Sequence, residues 1–302
     1  MIEASPMIEV TLYNDPACPW GYSANPSLHV LAWRYGDQLR WKLTVIGLTE
    51  DASQYAARGY TPLRGALGQL HFRRYGMPFS PAPKEKISAT ARGCRAIVAA
   101  RLARPGSEWA VFRALQLANF TTPLVLEDDA QLEAALAAVP GIDARRIIAS
   151  LDAPEVTAAY ESDRADSRSA AGSPAELQGK TAASDGPVRF TAPSVVFRSQ
   201  GTTLVAGGFQ PVEAYDVLIA NLDPTLERQP APETPAPLLG RFTSGLTTQE
   251  VATLMAEGND APDREAAEAA LIELVADGRA VREPLGDDAL WRPAAMAAAV
   301  AA

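Results

Sequence analysis

Cys18 stands in the stretch Asn14-Asp15-Pro16-Ala17-Cys18-Pro19-Trp20-Gly21-Tyr22 and is the side chain best placed for nucleophilic chemistry. The run before it, Met7 to Tyr13, has the β-branched and aromatic composition of a buried strand. The run after it, Ser23 to Arg34, spaces Leu28, Leu31 and Ala32 for a helix. Cys18 is therefore expected where a strand turns into a helix. The first helical turn leaves backbone N–H groups unpaired and carries the positive end of the dipole, and both favour a thiolate over a thiol. Pro19 suits that turn, because its missing N–H would have had no partner there. These features cast Cys18 as the nucleophile, with its thiolate held by the helix N-terminus and the N–H groups near Trp20 and Gly21.

Asp15-Pro16-x-Cys18-Pro19-Trp20 resembles the active-site motif of the DsbA-like branch of the thioredoxin superfamily, which includes disulfide oxidoreductases, kappa-class glutathione transferases and 2-hydroxychromene-2-carboxylate isomerases. Two downstream segments agree. Thr191-Ala192-Pro193-Ser194-Val195-Val196-Phe197 resembles the family strand that opens with a cis-proline opposite the cysteine, and Gly207-Gly208-Phe209-Gln210-Pro211 the turn into its last helix. The resemblance spans about the first 225 residues. It implies that the Ala192 backbone, held by a cis-Pro193, pairs with the peptide-like part of a thiol cofactor. Trp20, Tyr22 and the inserted helices would line the acceptor pocket. The chain departs from the oxidoreductase pattern at one place: Gly21 stands where a second cysteine is usual.

At 302 residues the chain exceeds one ordinary core. A net charge of −9 argues against a nucleic-acid surface, and no apolar run approaches the roughly 20 residues of a membrane span. The N-terminus has no basic region followed by an apolar run, so it does not read as a secretory signal. Two cysteines, Cys18 and Cys94, give no disulfide framework, and the default compartment is a reducing cytoplasm.

Leu39 to Leu48 alternates as a second strand, and from Thr49 to about Gly172 the pattern is helical. Candidate helices cover 61–75, 88–102, 108–119, 128–138, 143–150 and 154–171. Strands at 195–197 and 203–206, a turn at Ser199-Gln200-Gly201 and a helix at 212–222 complete an α/β unit. The expected fold is therefore α/β: a thioredoxin-like domain at 1–48 and 173–223 with a helical subdomain inserted at 49–172. A Pro-rich stretch at 224–239 reads as an extended linker. Beyond it, 240–302 reads as helix, helix and β-ribbon, similar to a winged helix. Its 5 Arg and no Lys against 11 Asp and Glu point to dimerisation or intramolecular packing rather than DNA.

Cys94 sits mid-helix and reads as structural. His29 is about three turns from Cys18 and too far to be its base, and His71 reads as a surface residue. No cluster has metal-ligand spacing and no phosphate loop is present. With Gly21 in place of a resolving thiol, three functions fit. The first is a monothiol oxidoreductase acting on a small-molecule or protein disulfide, with no tightly bound cofactor and with glutathione or another low-molecular-weight thiol as co-substrate. The second is a glutathione-dependent isomerase or transferase, although those relatives usually carry Ser at the position of Cys18. The third is a non-catalytic thioredoxin-fold adaptor.

Overall fold

The computed structural model describes residues 7–258 and 260–295, so the two ends of the chain, 1–6 and 296–302, lie outside the described residues. Ile8–Asn14 forms β1, buried except at Glu9, as expected of a strand covered on both faces. It leads into α1 (Pro19–Ser23) and α2 (Asn25–Tyr35), separated only by Ala24, itself helical in conformation. β2 (Leu39–Val45) returns parallel to β1, with Leu12 opposite Leu43.

A run of helices follows: α3 (Ala52–Ala57), α4 (Pro62–Phe72), α5 (Ala91–Ala103), α6 (Glu108–Thr121), α7 (Asp129–Ala137), α8 (Ala144–Ala149), α9 (Pro154–Ser167) and the short α10 (Pro174–Leu177). Asp51, Thr61, Asp128 and Asp143 cap four of them, each side chain accepting a first-turn N–H. α3 falls within the stretch read as helical but ahead of the first candidate helix. α5 starts three residues later than the pattern suggests, because Ser88 and Thr90 bond elsewhere: the Ser88 hydroxyl to Ala89 O and the Thr90 hydroxyl to Asp15. α9 ends four residues early, and Arg168 beyond it donates to the Ile46 carbonyl after β2.

The chain then adds a two-stranded ribbon, β3 (Thr181–Ala182) with β4 (Arg189–Phe190), where the sequence pattern is irregular. β5 (Ser194–Ser199) and β6 (Thr202–Gly207) form a hairpin whose turn places Gln200 and Gly201 at φ 48° and 80°. The main sheet has the order β2-β1-β5-β6, with β1–β2 parallel and the other pairs antiparallel. α11 (Val212–Leu222) packs on β5, β6 and α2, while α9 packs on β2.

The stretch after α11, expected as an extended linker, is bonded to the end of α2. Trp33 Nε1 donates to Pro230 O at 2.9 Å, Gln229 N to Arg34 O at 2.7 Å, and Gln38 exchanges two bonds with the Glu227 backbone. Prolines hold this segment extended without internal bonds, which leaves its carbonyls open to donors from the end of α2. Its last residues enter α12 (Ala236–Arg241), whose Leu238 and Leu239 are buried. β7 (Leu246–Thr247), α13 (Thr248–Met255), α14 (Arg264–Ala276), β8 (Ala280–Leu285) and β9 (Asp288–Pro293) complete the chain, with sheet order β7-β9-β8. Thr247 and Glu250 form the capping box of α13. Trp291 is the centre of this second core, which also takes in Val30 of α2. Arg113 on α6 reaches across to Glu250 with two bonds of 2.8 and 2.7 Å, so the module is packed within the same chain.

Candidate active site

Cys18 is the N-cap residue of α1, with extended backbone (φ −82°, ψ 114°) and Pro19 at the first helical position. Its N–H donates to Asp15 O at 3.1 Å and its carbonyl accepts from Tyr22 N at 2.9 Å, which fixes the start of the helix under the thiol. Across the site the Ala192–Pro193 peptide is cis. Ser194 locks that corner by donating to Thr191 O at 2.7 Å and accepting from Gly208 N at 3.3 Å. The Ala192 carbonyl faces the cysteine, and Cys18 Sγ donates to it at 3.1 Å.

Burial works against the thiolate expected from the helix position of Cys18. Cys18 is only 7% exposed, packed among Tyr13, Phe190 and Val196. Burial pushes its thiol up to about 12, the Asp15 carboxylate adds to this, and the Gly21 and Trp20 N–H groups and Arg189 oppose it without prevailing. In this closed pocket desolvation opposes the helix terminus, and the sulfur sits where an S–H donates to the Ala192 carbonyl.

Asp15 is quoted in the motif, but its role is visible only in three dimensions. Fully buried, it accepts from Ala17 N, Leu48 N and the Thr90 hydroxyl, each at 2.9 Å, and lies 3.5 Å from Cys94 Sγ. It thus ties the cysteine loop to the end of β2 and the start of α5. Burial raises the Asp15 carboxyl against the lowering effect of those donors. Cys94 is completely buried beneath it, its thiol also pushed up by burial and by Asp15.

The remaining motif residues separate into two groups. Pro19 and Trp20 border a cavity of about 760 Å³ that opens between the cysteine loop, α3, α4 and residues 82–88. Trp20 is 37% exposed and meets Phe72 edge-on at 4.9 Å. Tyr22 does not line the cavity, as the resemblance had implied. It is fully buried, stacked on Phe120 at 4.7 Å and donating to Pro78 O at 3.0 Å, so that Phe120 of α6, and not Tyr22, borders the cavity. Gly21 is also buried, against the Asn14 carboxamide. His71 is exposed and outside the cavity lining, and His29 lies 3.1 Å from Glu250.

Sequence reasoning missed the cavity's charged lining: Arg58, Arg64, Lys84, Lys86 and Arg189. Only Arg189 carried a signal, three residues before Ala192. Among the described residues no group of His, Cys, Asp and Glu could hold a metal ion, and no helix is long and apolar enough to cross a membrane.

Comparison with solved structures agrees with this architecture. A candidate protein disulfide isomerase from Nitrosomonas europaea superposes with a TM-score of 0.54 at 19% identity, covering 71% of this chain and 97% of its own. A candidate DsbA oxidoreductase from Streptomyces coelicolor gives 0.51 at 18% identity, covering 72% and 91%. The cytosolic disulfide reductase DsbM from Pseudomonas aeruginosa with GSH gives 0.50 at 19%, covering 71% and 98%. At these identities the likeness is one of fold. No curated protein matches the chain. The DSBA-like thioredoxin domain model matches residues 9–186, from β1 through the cysteine loop and all the inserted helices. With the strand–Cys–helix junction, the opposing Ala192–Pro193 corner and this match in agreement, the chain belongs to the family of DSBA-like thioredoxin domains.

Proposed function

We propose that this protein is a thiol–disulfide oxidoreductase that works through one thiol, Cys18, with glutathione or another low-molecular-weight thiol as resolving partner. The observation that carries the reading is the Gly21–Asn14 contact: the place of a second thiol is closed by the Asn14 carboxamide. In the first step the Cys18 S–H and the substrate S–S bond break, a Cys18–S–S–R mixed disulfide forms, and the departing sulfur takes the proton. A small thiol then attacks the Cys18 sulfur's partner, releasing R as a mixed disulfide with that thiol and returning the proton to Cys18. Cys94, sealed under Asp15, takes no part.

A second reading is favoured by the contact of Cys18 Sγ with the Ala192 carbonyl at 3.1 Å. An S–H that donates a hydrogen bond behaves as the Ser of the isomerase and transferase relatives would, holding the thiolate of a bound cofactor rather than attacking. The Cys18→Ser and Cys94→Ser variants separate the readings in a glutathione-coupled assay on a small mixed disulfide. Exchange is expected to fall to background in Cys18→Ser and to persist in Cys94→Ser. Equal losses in both would end the monothiol scheme. Glutathione-dependent turnover of an electrophile that survives Cys18→Ser would establish the second reading.

A further inference from the structure

The cavity beside Cys18 has a chemical character of its own. In a chain of net charge −9, it collects Arg58, Arg64, Lys84, Lys86 and Arg189, and no carboxylate among the described residues lines it. Lys84 donates to two neutral acceptors, Asn119 Oδ1 at 2.7 Å and Leu124 O at 2.6 Å, and burial pulls its ammonium down to about 8. Among the described residues Arg58 and Arg64 donate only to backbone carbonyls. Arg189 is only 7% exposed. It donates to Phe190 O and Ser184 Oγ, its Nε has no hydrogen-bond partner, and its nearest carboxylate, Asp185 at 3.6 Å, is shared with Arg164 and Arg168. A half-buried cation such as Lys84, with no carboxylate partner among the described residues, is costly, and low-dielectric walls focus the field of charges into the space they surround.

The same cavity offers flat apolar surface. Tyr55 and Tyr60 lie 5.3 Å apart, the Arg64 guanidinium covers Tyr60 at 4.8 Å, and Trp20 with Phe72 also lines the space, as do Ala17 and Pro19 on either side of Cys18 in the chain. A volume of about 760 Å³ falls in the range of small-molecule sites, roughly 300–1,000 Å³. We propose that this cavity binds a small organic anion, a carboxylate or phosphate carried on a flat apolar body, and presents it to Cys18. The anionic group pairs with Arg189 and Lys84 at the inner wall, with Arg58 and Lys86 at the mouth, and the body lies among the aromatic rings. This ligand class rests on the thiol-exchange reading only for the role of Cys18, since binding the anion does not require the thiol.

The test is calorimetric titration of the full chain with 2-naphthoate, 2-naphthyl phosphate and the neutral 2-naphthamide, in wild type and in Cys18→Ser. Both anions are expected to bind at least about tenfold more tightly than the amide, equally in both proteins, and to weaken with salt. Lys84→Met should weaken them about tenfold. Since that variant disturbs a partly buried group, the exposed pair Arg58→Gln/Lys86→Gln supplies a second measurement, expected to weaken them several-fold. Equal binding of amide and anions, no binding at millimolar concentration, or affinities untouched by the Arg58/Lys86 pair would overturn the proposal. Displacement of naphthoate by S-methylglutathione would assign the anion to the co-thiol, and failure to displace it would assign it to the acceptor. Anion binding in a protein with no exchange activity would count against the thiol chemistry alone.

Discussion

The side chain of Asn14 occupies the space where a side chain at Gly21 would have to go. A Cβ built on Gly21 overlaps the carboxamide oxygen and comes within 2.8 Å of Asn14 Cγ and 3.0 Å of its Nδ2. Asn14 is not free to swing away, because it is fully buried and its Oδ1 accepts from Asp15 N at 2.8 Å. Gly21→Cys is therefore expected to cost about 1–3 kcal/mol by overpacking, and its new thiol should form no disulfide with Cys18 under oxidation. Adding Asn14→Ser, which shortens the side chain and keeps an acceptor, should recover part of that loss, so the double variant is less destabilised than the two single effects predict. Chemical denaturation and mass analysis of iodoacetamide-labelled protein read both quantities. A stable, readily oxidised Gly21→Cys with Asn14 intact would refute the blockade.

The environment of Cys18 dictates an alkaline pH profile. Its folded-state value is raised above the ordinary thiol value of about 8.5, so the thiol form persists as pH rises and the reactive thiolate appears late. In Cys94→Ser, iodoacetamide labelling of the native protein should be slow at pH 7 and climb through pH 10 without a plateau. A plateau between pH 6 and 8 would mean that the backbone N–H groups of Trp20 and Gly21 win over burial after all. Labelling absent from the folded state at every pH would favour the adaptor reading, with Cys18 as packing.

The parts of this site that follow from local chain chemistry were legible in the sequence. A strand ending at Asn14, a proline after the cysteine and a helix behind it leave few arrangements other than Cys18 at a helix N-cap. The parts that depend on what covers a residue were not. The helix-start argument for a thiolate is sound for an exposed cysteine, and burial in a cluster with Phe190 and Val196, distant in sequence, acts against it. Tyr22 read as a pocket residue because it neighbours Trp20, yet the two point to opposite sides of one turn, Tyr22 onto Phe120 and Trp20 onto Phe72. The cationic cavity draws on residues 58–64, 84–86 and 189, three stretches with no shared pattern. The docked linker is illegible for a related reason: proline content predicts extended backbone, and the bonds with Trp33, Arg34 and Gln38 turn it into a strap.

Glu250 and Arg113 carry the last prediction. Burial alone would raise the Glu250 carboxyl, but Arg113 and His29 hold it well below the ordinary carboxylate range. Both residues of the pair are buried, and Arg113 also donates to Gly245 O at 2.7 Å, so each side of the interface depends on the other's charge. Replacing Arg113 by Met leaves a buried carboxylate without its main partner, and a loss of about 3–5 kcal/mol is expected. Because the folded value of Glu250 is depressed, its contribution is present above the unfolded value of about 4.3 and is lost as pH falls below it. The wild type should therefore lose stability more steeply between about pH 5 and 3 than Glu250→Gln, whose residue 250 does not titrate. Urea denaturation at several pH values, followed by the fluorescence of the buried Trp291, measures this difference. Parallel pH profiles for the two proteins would show that the ion pair does not hold the C-terminal module to α6.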